Sequence, residues 1–138
     1  MRVFLDTGSW IALEVENDKN HSPAKEYFKE LMKKRAIMYT SDYVLVEAYT
    51  RLIYDVHLKA AQKLNERIRA AVEKRQLSVL EIGQIERDKA WRYLEKFSGH
   101  ELSFTDATVV VNFEELGLDK IFTFDRHFRD INLATNLD

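Results

Sequence analysis

Strand-like and helix-like stretches alternate along this chain, and the alternation predicts an α/β domain with a parallel sheet covered by helices on both faces. Three observations lead there. Short apolar runs recur between longer amphipathic ones. Glycine and proline together number five in 138 residues, against a usual share of ~12%, so most connections are short. The length suits one domain of roughly 100–150 residues, and no repeat, low-complexity tract or linker divides residues 1–138.

The elements follow in order. Residues 2–5 are apolar on both sides, as a buried strand requires. After Asp6-Thr7-Gly8-Ser9 comes a short helix over Trp10–Glu14. Ser22-Pro23 then supplies an N-cap with proline at the first helical position, opening a helix to about Arg35 with Ala24, Tyr27, Phe28 and Leu31 at helical spacing. Residues 36–40 form a second strand, and Ser41-Asp42 cap a helix through Tyr54. Ala61, Leu64, Ile68 and Val72 make one stripe of an amphipathic helix over 58–75. A third strand is predicted at 78–82, a helix at 84–97, and another at 104–116 stopped by Gly117. Residues 121–124 make a fourth strand, and the stretch 131–135 adds a short fifth.

Composition removes several functions. A chain that is 46% hydrophobic and 32% charged folds rather than staying disordered. With no cysteine there is no disulfide scaffold, thiolate zinc site, cysteine nucleophile or cysteine-ligated cluster. No apolar run approaches the roughly 20 residues that span a bilayer, and Met1–Leu5, broken by Asp6, is a poor signal peptide. The expected location is the cytoplasm. Lys and Arg total 21 against 23 Asp and Glu, a net charge of -2, which gives no global case for nucleic-acid binding. That net value averages over a basic stretch: residues 57–76 carry six basic and two acidic side chains.

Parallel α/β sheets bind ligands beyond the carboxyl ends of their strands, and the acids fall there. Asp6 follows Val3-Phe4-Leu5, Asp125 follows Thr123-Phe124, and Asp106 stands at the start of the 104–116 helix. Glu47 sits in the apolar setting Val44-Leu45-Val46-Glu47-Ala48, where a buried carboxylate needs a partner or a metal. Gathered acids resist ionisation, a divalent cation removes the conflict, and hard oxygen ligands suit Mg²⁺ or Mn²⁺. Each acid also has a plain structural role open to it. Asp6 can cap the next helix, Asp106 makes a capping box with Ser103, and Asp125 can begin the turn at Arg126-His127-Phe128. Of the nearby hydroxyls, Thr7 and Thr123 can orient carboxylates. His127 is read as an ordinary satisfied or solvent-exposed histidine, and Trp10 as a core or rim residue.

Four segments together resemble the PIN-domain ribonucleases, particularly the toxins of VapBC-type toxin–antitoxin pairs. They are Phe4-Leu5-Asp6-Thr7-Gly8-Ser9, Ser41-Asp42-Tyr43-Val44-Leu45-Val46-Glu47, Leu102-Ser103-Phe104-Thr105-Asp106-Ala107 and Ile121-Phe122-Thr123-Phe124-Asp125-Arg126. The resemblance implies a three-layer Rossmann-like fold with strand order 3-2-1-4-5. It implies a metal pocket of Asp6, Glu47, Asp106 and Asp125 supported by Thr7 or Thr123, cleavage of RNA, a homodimer, and a small antitoxin partner. Related domains also process RNA outside toxin pairs, and some are inactive RNA- or protein-binding modules. On the 57–76 stretch, Lys59, Lys63 and Arg67 are the candidate RNA-backbone contacts, or else the exposed face of a solvated helix.

Overall fold

The computed structural model describes residues 1–138. Four strands, β1 (Arg2–Leu5), β2 (Ile37–Ser41), β3 (Leu77–Leu80) and β4 (Lys120–Phe122), lie in the order β3-β2-β1-β4. Every pair is parallel: Phe4 stands opposite Tyr39 on one side and Ile121 on the other, and Tyr39 opposite Ser78. Helices α1 (Thr7–Glu14), α2 (His21–Lys33), α3 (Asp42–Asp55), α4 (Leu58–Glu73), α5 (Gln84–Lys96) and α6 (Phe104–Glu115), with the single turn α7 (His127–Asp130), flank this sheet. The predicted class and the first four places of the strand order therefore hold.

The fifth strand shrinks to one bridge, between Ile121 and Thr135. Ile121 N–H donates to Ala134 O at 2.9 Å and its carbonyl accepts from Asn136 at 3.3 Å. Asp138 then takes the Thr135 N–H at 3.0 Å, turning the backbone before a ladder can grow. α1 starts at Thr7, three residues earlier than the sequence suggests: Asp6 O accepts Ser9 N–H at 3.1 Å and Trp10 N–H at 3.3 Å, which closes the first turn, and the Ser9 hydroxyl adds a bond to the same oxygen at 2.7 Å. α2 starts at His21, with Asn20 and not Ser22 in the cap position. Pro23 falls within its first turn, where a missing N–H costs nothing. β3 ends at Leu80, and beyond it the Ile82 N–H leaves the ladder to donate to Asp42 Oδ1 at 3.1 Å. α6 stops as expected: Leu116 is its C-cap and Gly117 follows at φ +58°, a conformation glycine adopts without strain.

Val3, Phe4, Leu5, Ile121 and Phe122 are fully buried, so the two central strands form the floor of the core. Trp10 is a core residue too. It is 6% exposed, and its indole N–H donates to Thr40 Oγ1 at 3.1 Å. The Thr40 hydroxyl in turn donates to Leu5 O at 2.9 Å, which leaves no unpaired polar group between β1 and β2. Tyr27 packs edge-on against Phe122 at 4.8 Å, tying α2 to β4.

Candidate active site

The carboxyl ends of β1 and β4 lie side by side because Asp6 N–H donates to Phe122 O at 3.0 Å. That bond continues the parallel ladder one residue past β1. Asp6 occupies the N-cap position of α1, yet its side chain makes no capping bond. Its Oδ2 instead accepts from the Thr123 hydroxyl at 2.9 Å. The same Thr123 oxygen accepts from Asp125 N–H at 3.0 Å, so one threonine fixes both acids. The cap role open to Asp6 is therefore not the one its carboxylate takes.

Asp106 does take its structural role. Its N–H donates to Ser103 Oγ at 3.0 Å, while its own Oδ2 accepts from Ser103 N–H at 3.0 Å, a complete capping box at the mouth of α6. Asp125 Oδ1 accepts from His127 N–H at 2.9 Å and so opens α7. Glu47 is half-buried on α3.

Asp6, Glu47, Asp106 and Asp125, drawn from four separate segments, line a single cavity of about 410 Å³ together with Thr7. Thr123 acts from behind it, through Asp6. Asp6 is 5% exposed; burial, with the Asp106 charge beside it, pushes its carboxyl up to about 7. Asp106 is raised as well, chiefly by burial and further by Asp125, against the lowering effect of its Ser103 hydrogen bonds. The two raised carboxyls reflect negative charge crowded into a buried site.

A divalent cation fits what surrounds them. The donors are carboxylate and hydroxyl oxygens, as hard cations require. The Thr7 hydroxyl, on a residue only 3% exposed, has no hydrogen-bond partner although it belongs to the cavity wall. Ligand atoms of Asp106, Asp125 and His127 also lie within 4.8 Å of one another and form a candidate cation cluster. His127, read from the sequence as an ordinary satisfied or solvent-exposed histidine, stands beside these acids. Its Nδ1 is 3.0 Å from Asp125 Oδ1 and 3.8 Å from Asp106 Oδ2, without hydrogen-bond alignment, and its Nε2 is 3.5 Å from Glu101. The only local signal was its position two residues after Asp125.

The basic candidates of α4 are placed elsewhere. None of Lys59, Lys63 and Arg67 lines the acid cavity. Arg67 pairs with Glu14 at 2.8 Å, where the Glu14 side chain is 5% exposed. Arg67 also borders a separate, mainly apolar groove that includes Trp10, Phe28 and Met38. In contrast, Lys19, Arg51 and Arg126 do border the acids; Arg126 closes the fourth sequence motif but is given no role there, and Lys19 and Arg51 lie outside the motifs.

A family model described as the PIN domain matches residues 3–133. The chain is 30% identical over 129 residues to the 23S rRNA-specific endonuclease VapC20 of Mycobacterium tuberculosis, covering 91% of each. Among solved structures, Mycobacterium tuberculosis VapC20, described as a Sarcin-Ricin loop cleaving toxin, aligns with a TM-score of 0.81 and 26% identity over 96% of both chains. VapBC2 from Rickettsia felis, bound to a DNA fragment from its promoter, shares the fold at a TM-score of 0.71 with 14% identity, over 99% of this chain and 98% of that one. The chain thus belongs to the PIN-domain family, and within it to the relatives of VapBC-type toxins.

Proposed function

We propose that the protein is a metal-dependent endoribonuclease that hydrolyses RNA phosphodiester bonds at the acid cavity, with residues 1–138 forming one nuclease domain. In this reading it is the toxin of a VapBC-type pair, restrained in the cytoplasm by a small antitoxin and assembled as a homodimer. The observation that carries the proposal is the convergence of Asp6, Glu47, Asp106 and Asp125 on one cavity with an unpartnered Thr7 hydroxyl. The likeness to VapC20 supports RNA as the substrate.

Asp6, Glu47 and Asp106 would hold Mg²⁺ or Mn²⁺ directly or through water, and Asp125 would complete the set. Such a cation supplies Lewis acidity to the attacking water and to the oxygens of the scissile phosphate. The chain's own contribution is orientation. Thr123 locks Asp6 and Asp125 in register, the Ser103 box fixes Asp106, and burial shields the Asp6 carboxylate from bulk water. Lys59 and Lys63 offer phosphate contacts outside the cavity, while Arg67 is engaged with Glu14.

The test is cleavage of RNA, including 23S rRNA, in Mg²⁺, in Mn²⁺ and in EDTA, beside the variants Asp6→Asn and Glu47→Gln. Cation-dependent cleavage that both variants lose while keeping their circular dichroism spectra is expected. Full activity in both folded variants would remove the proposed centre.

A further inference from the structure

Three cationic side chains share the wall of the acid cavity: Lys19 in the α1–α2 loop, Arg51 on α3 and Arg126 between β4 and α7. All are exposed. Acids are close at hand, yet none of the three enters an ion pair. The lysine and arginine pairs of the chain are Lys34–Glu30, Arg67–Glu14, Lys89–Glu115 and Arg129–Asp138. Arg51 stands one helical turn beyond Glu47, a spacing at which acid and base readily join, and still no bond forms.

A single solvated cation would need no explanation. Three, from three separate segments, left free around one acid floor, present a definite pattern of charge. They oppose entry of a divalent cation, so cation binding alone gives them no use. They favour a ligand that is itself a polyanion. A chain of phosphates satisfies both halves: one phosphate meets the cation-holding floor and its neighbours meet the rim.

The depth of the floor restricts the form of that chain. Asp6 is 5% exposed, so a phosphate must descend towards it while those on either side stay at the rim. An unpaired strand bends that way; a duplex holds its backbone on a fixed helical path. Phe124, half-buried on the same wall, is an aromatic side chain of the type on which unstacked bases pack.

We propose that Lys19, Arg51 and Arg126 are phosphate-positioning residues that grip an unpaired RNA strand on either side of the bond presented to the acids. The proposal rests on the nuclease reading for the chemistry at the floor, but its binding test stands apart from turnover. The probe is a labelled single-stranded RNA oligonucleotide, titrated by fluorescence anisotropy in EDTA over a series of KCl concentrations.

Single-stranded sites lose about 0.7 in the logarithmic salt slope per phosphate contact. The variant Lys19→Gln/Arg51→Gln/Arg126→Gln should therefore bind more weakly with a slope shallower by about 2. The charge-keeping variant Lys19→Arg/Arg51→Lys/Arg126→Lys should restore the slope. Removing three charges from α2, by Lys25→Gln/Lys29→Gln/Lys33→Gln, should leave it at the wild-type value. In Mn²⁺ the first variant should raise KM more than it lowers kcat.

Several results would overturn the proposal: an unchanged slope in the first variant, an equal loss in the α2 variant, wild-type binding too weak to show a slope, or a duplex of the same sequence binding equally well. Wild-type protein that shows the rim-dependent slope but no cation-dependent cleavage removes the nuclease reading and keeps the grip. Cleavage with an indifferent slope removes the grip alone.

Discussion

Asp6 lies buried at the end of β1 with one side-chain hydroxyl donating to it, and its carboxyl is held up near 7 by burial and by Asp106. The folded chain thus keeps a proton there that the unfolded chain gives up above about 4. Stability falls as pH rises through that interval and levels off above about 7, because the unfolded state binds fewer protons. In EDTA at pH 8, Asp6→Asn should therefore be more stable than wild type, by up to a few kcal/mol at about 1.4 kcal/mol per pKa unit, and should melt at a higher temperature. The gap should close at pH 4 and in excess Mn²⁺; scanning calorimetry checks both, and a variant no more stable at pH 8 would contradict the burial cost. Thr123 is the second lever. Thr123→Val removes the hydroxyl that fixes Asp6 and Asp125 and should weaken Mn²⁺ affinity by roughly 10–100-fold, with Thr123→Ser close to wild type, as read by calorimetric titration. Asp6, Asp106 and Asp125 were legible because each follows a strand end or stands in the first turn of a helix, and Glu47 because it interrupts an apolar run. Lys19 was not, since it lies in a loop with none of the four acids near it in sequence; Arg51 and Arg126 stand four and one residues after Glu47 and Asp125, but a base this near an acid suits an ordinary ion pair equally well.

Element boundaries show the same division between local and distant causes. Ser103 and Asp106 are three residues apart, and that spacing alone announces the box that starts α6. Ser103→Ala removes the hydroxyl that accepts Asp106 N–H and should cost about 1 kcal/mol, while the Ser103 N–H still holds the Asp106 carboxylate, so the thermal midpoint should fall with Mn²⁺ affinity little changed; an equal loss of affinity would show that the hydroxyl also positions the ligand. The starts of α1 and α2 depend on less visible bonds, Ser9 to the Asp6 carbonyl and Asn20 N–H to Asp18 Oδ1 at 2.8 Å. β4 was readable from Ile121-Phe122, but the fifth strand was not correctly sized, because the capture of Thr135 by Asp138 ends it after one bridge. Arg67 shows how a charge count misleads: it adds to the basic face of α4 in sequence, but in the fold it serves a buried Glu14.

Over the whole molecule, alternation of strand and helix was enough to give the parallel sheet, since a right-handed crossover leaves few other arrangements. Its outer surface was harder to read. Val46 is 64% exposed and Trp91 60%, and an aromatic series links their helices: Trp91 to Phe104 at 5.0 Å and Phe104 to Tyr43 at 6.5 Å. The homodimer proposed above would bury apolar surface of this kind. Sedimentation velocity should find a dimer that Val46→Lys/Trp91→Lys converts to monomer; an unaltered sedimentation coefficient would place the interface elsewhere. The bond from Thr123 to Asp6 spans 117 residues of chain, and this has a consequence for synthesis. A ribosome that has made β1, α3 and α6 has delivered three of the acids, yet the hydroxyl that aligns Asp6 and the fourth acid are still to come. The complete pocket therefore closes only after β4 emerges and docks beside β1, so every shorter nascent chain lacks the assembled acid site.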